Sequence, residues 1–262
     1  MLKIEKTDVV GWEAAVRGMR NPTETWEESD SFIPCYWKTK CHECEVNQNC
    51  AYYFENGYGV PYKKDEFIGS KDLYLMTRLC AAGTDHSKFM RMIVVYVDVT
   101  APLYWWKNFD TYKIETVTNS CSTMHKIVNK KFTLDDFSCE HLLSFTSEGD
   151  ERKIPFVDVS PHGEGDIMFS PKGILECIII PILNRCRDCF LESKDKKYWW
   201  QMIQLLPNSY NQRSTVMLNY EVLTDIYKSH KDDKLDEWRT LCDWIEELPY
   251  SELITGDGEN NG

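Results

Sequence analysis

The ten residues from Met90 to Val99 place the tightest constraint on how this chain can fold. Five of them are valine or isoleucine, the β-branched residues that favour strands, and no glycine or proline interrupts the run. Pro102 follows at a position that suits the first turn of a helix. The segment therefore predicts a buried strand that leads into a helix, as in a mixed α/β (α+β) protein with a central sheet and surrounding helices.

Apolar residues recur at helical spacing on both sides of this strand. The predicted elements are a strand over Leu2 to Asp8 and helices over Val10 to Met19, Lys71 to Ala82, Thr133 to Phe145, Ser214 to His230 and Lys234 to Leu248. Residues 31–67 lack this periodicity and are interpreted as a Cys-rich insertion. A single domain is predicted over residues 1–255, with a disordered tail over 256–262.

Charge and hydropathy exclude some classes of function. The chain carries 42 acidic and 30 basic residues, a net charge of −12 that opposes general nucleic-acid binding. Its longest apolar runs, Met92 to Val97 and Ile178 to Leu183, are far shorter than the roughly 20 residues of a membrane span. The first residues lack the pattern of a signal peptide. We therefore expect a cytoplasmic protein without membrane contact.

The insertion contains four cysteines in the pattern C-x5-C-x2-C-x5-C. Four thiolates can bind zinc tetrahedrally, and metal binding can order a loop that has no core of its own. The predicted ligands of a structural zinc ion are Cys35, Cys41, Cys44 and Cys50, and His42 could replace one of them. An iron–sulfur cluster and unliganded thiols remain alternatives. A second Cys-x2-Cys step, Cys186 and Cys189, falls on a predicted helix and favours ordinary reduced thiols.

Phosphate-binding glycine loops and the common hydrolase motifs are missing from the sequence. A group of polar residues between positions 86 and 125 remains, with His86, Asn119 and Ser122 among them. On a helix or a helix end, Asn119 and Ser122 would share a face. A solvated surface explains the same spacing, so these residues alone assign no function.

The order of several short segments adds information. An Asp85-His86 pair precedes the apolar strand, Asn119 and Ser122 follow at signature spacing, and Leu206-Pro207 and Asn219 come later. In this order the chain resembles the flavin-dependent thymidylate synthases. The resemblance covers most of residues 1–20 and 70–248, and the Cys-rich insertion lies outside it.

The resemblance implies a fold, an activity and a set of site residues. It implies methylation of dUMP or a related pyrimidine nucleotide, with methylene-tetrahydrofolate as carbon donor and reduced flavin as hydride donor. His86, Asn119 and Asn219 would contact the flavin, FAD, while Ser122 and His230 would contact the nucleotide. It assigns no catalytic residue to this chain. It also implies a homo-oligomer.

Several arginines of the family pattern are replaced. Tyr112, Lys113 and Ile114 stand where the family has Arg-His-Arg, and Glu221 stands where it has the arginine of Asn-Leu-Arg. These changes remove guanidinium groups that would bind phosphate in bidentate geometry. The alternative hypothesis is therefore an inactive thymidylate synthase-like protein that binds a nucleotide or docks another protein through its zinc loop.

Overall fold

The structure is a computed structural model of the chain, and it describes residues 2–31, 68–112, 114–122, 127–145, 154–160 and 167–256. The predicted zinc ligands Cys35, Cys41, Cys44 and Cys50 lie outside these residues, as do residues 257–262 of the expected tail. Within the described ranges, no group of three or more His, Cys, Asp or Glu side chains is placed to hold a metal ion. The zinc site stays a prediction.

The described residues form both strands and helices, and the fold is a mixed α/β fold. The strands are β1 (Lys3–Val10), β2 (Val94–Pro102), β3 (Val117–Ser120), β4 (Val157–Asp158), β5 (Met168–Phe169) and β6 (Asn211–Asn219). The helices are α1 (Trp12–Arg20), α2 (Ser70–Ala81), α3 (Leu103–Phe109), α4 (Pro171–Ile174), α5 (Ile180–Ser193), α6 (Lys196–Leu205), α7 (Tyr220–His230), α8 (Asp236–Glu246) and α9 (Glu252–Thr255).

The main sheet has four strands in the order β1, β2, β6, β3. The prediction of a buried strand is confirmed, because Val95, Val97 and Val99 of β2 are almost completely buried. The strand starts at Val94, since Lys88–Met92 before it form a short 3-10 turn. Strands β4 and β5 pair with each other as an antiparallel two-stranded sheet.

The contacts divide the chain into two compact units, and the single-domain interpretation stays a prediction. The first unit comprises Met1–Thr7, Val97–Val216 and Leu235–Glu237. Its core brings together Ile127, Phe132, Phe137, Leu175, Leu183 and Met202. Helices α5 and α6 pack against each other beside this core.

The second unit comprises Asp8–Tyr96, Met217–Lys234 and Trp238–Gly262. Its completely buried side chains include Met76, Tyr220, Leu223, Ile226, Trp238 and Ile245. Gly11 precedes α1 with φ = +96°, and a Cβ there would lie 1.9 Å from the carbonyl oxygen of Met92. Only glycine fits that approach. No helix in the described ranges has both the length and the apolar character needed to cross a bilayer.

Two of the predicted helices are wrong in part. Thr133 does start a capping box with Asp136, but only Leu134–Asp136 form a short 3-10 turn. Phe137 then adopts an extended conformation and bridges to Tyr210, because this conformation buries its ring in the core. The segment before Asn219 is strand β6, in which buried Ser214, Val216 and Leu218 alternate with more exposed residues.

Candidate functional site

A cavity of about 440 Å³ lies in the first unit. Its wall includes Ser122, one of the two residues that the sequence assigned to nucleotide binding. Ile127, Phe132 and Tyr210 give it apolar and aromatic surface. We call it the Ser122 cavity; its other lining residues are Thr100, Cys121, Asn129, Lys130, Asp135, Asp136, Asn211, Gln212 and Arg213.

Hydrogen bonds to β6 hold the segment that carries Ser122. The backbone N–H of Cys121 donates to the carbonyl of Arg213 over 2.9 Å, and the Gln212 side chain donates to the carbonyl of Cys121 over 2.8 Å. One residue earlier, the hydroxyls of Ser120 and Ser214 lie 2.8 Å apart. The position of Ser122 beside Arg213 thus follows from strand pairing.

Two cations line the Ser122 cavity, and each has an acidic partner. Arg213 donates from Nη2 to Asp98 over 2.7 Å, and its Nη1 lies 3.6 Å from Glu5. Hydrogen bonds from Thr215 and Arg213 lower the pKa of Asp98. The guanidinium has five N–H donors, so donors remain for a ligand.

The second cation is Lys130, which donates a hydrogen bond to Asp136. This bond raises the pKa of Lys130 and keeps the ammonium charged. The lysine side chain is 71% exposed, and its ammonium has three donors. A phosphate at this wall would meet these two cations, and the lining also contains the carboxylates of Asp135 and Asp136. Sequence reasoning did not identify Lys130 or Arg213, because neither belongs to a motif.

Asn119 lies on β3 and is exposed. The helix on which Asn119 and Ser122 would share a face does not form, because residues 117–120 pair in the sheet instead. Asn119 is not among the lining residues of the Ser122 cavity. The structure thus brings Ser122, and not Asn119, to this cavity.

Three predicted site residues lie in the second unit. His86 is exposed on the turn after α2, where its backbone N–H donates to the carbonyl of Gly83 over 3.0 Å. Asn219 caps α7, because its Oδ1 accepts from the N–H of Val222 over 3.0 Å. The ring of His230 stacks on Trp238 at 3.7 Å, and its Nδ1 lies 2.7 Å from Asp233.

A second cavity, of about 310 Å³, lies next to His86 and Asn219. Thr84 and Ser87, on either side of His86, line it, and so does Glu221 two residues after Asn219. We call it the Glu221 cavity; its other lining residues are Thr77, Cys80, Ala81, Gly83, Met90, Thr224, Asp225, Lys228, Glu252, Leu253, Ile254 and Gly256. Burial raises the pKa of the Cys80 thiol to about 11, which keeps it protonated at neutral pH.

In sequence the chain matches no family model and no curated protein. In structure it is similar to solved proteins. Flavin-dependent thymidylate synthase ThyX from Helicobacter pylori, solved with FAD and dUMP, superposes with a TM-score of 0.56 at 13% identity, covering 97% of this chain and 98% of that one.

A second solved protein extends the similarity. The UMP/dUMP methylase PolB from Streptomyces cacaoi, bound with 5-Br dUMP, has a TM-score of 0.51 at 13% identity, covering 98% of this chain and 95% of that chain. The chain therefore has the fold of flavin-dependent thymidylate synthase and of this methylase. The resemblance inferred from the sequence is confirmed at the level of fold.

The fold family implies FAD, whose pyrophosphate is anionic and needs hydrogen-bond donors. The described residues at the Glu221 cavity do not fit that group. Glu221, Asp225 and Glu252 contribute carboxylates to its lining, against the single ammonium of Lys228. Asn219, which the resemblance assigns to flavin, uses its side-chain oxygen to cap α7.

Proposed function

We propose that the chain binds a pyrimidine nucleotide of the dUMP type in the Ser122 cavity. One observation carries this proposal: Ser122, the serine matched to the family signature, lines a 440 Å³ cavity together with the guanidinium of Arg213. Ligand cavities in proteins commonly measure roughly 300–1,000 Å³. The aromatic rings of Phe132 and Tyr210 offer surface for a base, while Arg213 and Lys130 offer charge for a phosphate.

Arg213→Gln tests this assignment. We expect the variant to bind dUMP about 10- to 100-fold more weakly, because a hydrogen bond to a charged group contributes about 1.5–3 kcal/mol. Binding of deoxyuridine, which lacks the phosphate, should change little. Isothermal titration calorimetry measures both affinities.

The matched control is Arg185→Gln, an equal change in charge at an exposed residue of α5 outside the cavity lining. It should leave the affinity for dUMP unchanged. Equal dUMP affinities for wild type and Arg213→Gln would show that Arg213 does not contribute to nucleotide binding. An equal loss in both variants would mean that net charge, and not this cavity, governs binding.

The fold likeness supports a catalytic version of this proposal. In it, a homo-oligomer in the cytoplasm methylates dUMP or a related nucleotide with carbon from methylene-tetrahydrofolate, and reduced flavin supplies the hydride. The flavin would have to bind outside the Glu221 cavity, because the residues there do not fit its pyrophosphate. Formation of dTMP from these three compounds by the purified protein would establish this version.

A specific observation favours a second, non-catalytic version. Glu221 stands at an arginine position of the family pattern, and it forms an ion pair with Arg91 of the 3-10 turn before β2. A chain of this kind would bind the nucleotide without methylating it, and would dock a protein partner through the zinc loop. dUMP binding without dTMP formation would support this version.

The predicted zinc loop can be tested by deletion, because polar contacts join its two ends. Ser31 Oγ accepts from the N–H of Gly69 over 3.0 Å, and the Asp30 carboxylate accepts from the N–H of Lys71 over 2.9 Å. Replacing residues 34–62 by a short Gly-Ser linker should therefore remove the zinc and leave the rest of the chain folded.

Metal analysis and circular dichroism before and after the deletion check this prediction. The full chain should contain one zinc ion per chain, and a Cys44→Ser variant should lose it while keeping its secondary structure. Unchanged metal content after the deletion would contradict the assignment of the four cysteines. If a protein partner is captured equally well by the shortened chain, the loop is not its docking surface.

A further inference from the structure

Among the described residues, two of the four hydroxyl groups that line the Glu221 cavity already donate to backbone carbonyls. Thr77 Oγ1 donates to the carbonyl of Leu73 over 2.9 Å, and Thr224 Oγ1 donates to the carbonyl of Tyr220 over 2.8 Å. Each hydroxyl has only one proton, so these two threonines present acceptor lone pairs to the cavity. A phosphate, which is itself an acceptor, gains nothing from them.

The charged groups of the cavity also disfavour a phosphate. Glu221, Asp225 and Glu252 line it, and Lys228 is the one cation among the described lining residues. The guanidinium of Arg91 lies nearby, but its Nε donates to the Glu221 carboxylate. Glu221, which stands in place of the family arginine, thus offsets the charge of this guanidinium with its carboxylate.

We propose that Glu221 is a specificity-determining residue that excludes anionic flavin nucleotides from this cavity. It contributes a carboxylate to the lining, and it offsets the charge of Arg91 by forming an ion pair with it. Asp225, one helical turn further along α7, adds a second carboxylate at the same wall. The inference goes beyond the proposed nucleotide binding, which concerns the Ser122 cavity in the other unit.

Titration of FAD tests the proposal on the full chain. The wild-type protein should bind FAD more weakly than variants that lack a carboxylate of this cavity. Glu221→Gln keeps an oxygen that can accept from Arg91 and removes the charge. This variant, and the double variant that adds Asp225→Asn, should each gain about tenfold in FAD affinity per charge removed, which lies between the like-charge repulsion expected in bulk water and that expected near a protein surface.

Asp232→Asn is the matched control, since Asp232 is exposed and lies outside the lining of the cavity. It should not change the affinity for FAD. Riboflavin has the flavin ring without phosphate, so its affinity should be the same for wild type and all variants. A gain for riboflavin as large as the gain for FAD would show that Glu221 acts through shape and would overturn the proposal.

Two further results would overturn the inference. One is a wild-type protein that binds FAD as tightly as the variants do. The other is the absence of any gain in the folded double variant. Titration of dUMP into the same proteins reports separately on the Ser122 cavity, and Glu221→Gln should leave that affinity unchanged. Failure of either proposal can therefore be recognised without the other.

Discussion

Replacing Asp72 with alanine should lower the free energy of unfolding by about 3–5 kcal/mol, the usual cost of removing one partner from a buried ion pair. Asp72 is 0% exposed and its partner Arg20 is 4% exposed. The Nε of Arg20 donates to Oδ1 of Asp72 over 2.7 Å, and its Nη2 lies 2.6 Å from the same oxygen. The variant leaves the guanidinium buried without its carboxylate.

The pH dependence of this loss follows from the pKa of Asp72. Burial alone would raise that pKa, but hydrogen bonds from Ser29, Ser31 and Arg20 outweigh it and lower the value. A carboxyl group with a lowered pKa in the folded state stabilises the protein above its unfolded pKa of about 3.9. The difference between wild type and variant should therefore be constant near neutral pH and shrink as the pH falls below about 4.

Urea unfolding at several pH values measures both effects. The control is Glu13→Gln, which removes an exposed ion pair with Arg17 whose closest atoms are 3.5 Å apart. That variant should change the free energy of unfolding by less than about 1 kcal/mol. If Asp72→Ala and Glu13→Gln lower the free energy of unfolding by similar amounts, the buried ion pair of Asp72 and Arg20 does not stabilise the fold as we expect.

Trp238→Ala should also cost about 3–5 kcal/mol, as large aromatic truncations in a core usually do. Trp238 is 0% exposed, and one face of its indole stacks on His230 with the ring planes 3° apart. Removing the indole leaves a cavity and takes away the surface that orients the imidazole. Thermal and urea unfolding check the size of this effect.

Trp200→Ala is the control for this prediction, because Trp200 on α6 is 49% exposed. It should change the free energy of unfolding by less than about 1 kcal/mol, as surface substitutions usually do. If the two tryptophan variants lose similar amounts of unfolding free energy, the burial of Trp238 does not explain its contribution to stability.

The sequence predicts the class of fold well because local patterns dominate there. The valine-rich strand β2 and the amphipathic helix α1 carry clear periodicity. The errors occur where tertiary pairing overrides a local signal. Ser214 and its neighbours looked helical, yet they pair in the sheet as β6, and the helix signal at Thr133 ends after one turn because Phe137 pairs with Tyr210.

The candidate site is less predictable. Ser122 is visible in the sequence through the family resemblance, whereas Arg213 reaches the same cavity only because β6 pairs beside the Ser122 segment. Asn219 matches the family pattern and His230 lies near the position of a family arginine, but the structure uses Asn219 to cap a helix and packs His230 against a tryptophan. Contacts with residues nearby in the chain engage Asn219 and His230, whereas strand pairing between distant segments brings Arg213 to the cavity.

Calorimetric titration of the wild-type chain with dUMP and with deoxyuridine tests the central claim most directly. Binding of dUMP with an affinity clearly above that of deoxyuridine, at one site per chain, is the result we predict, because Arg213 and Lys130 should contact the phosphate. Absence of dUMP binding, or equal affinities for the two compounds, would contradict a phosphate-binding nucleotide site in the Ser122 cavity.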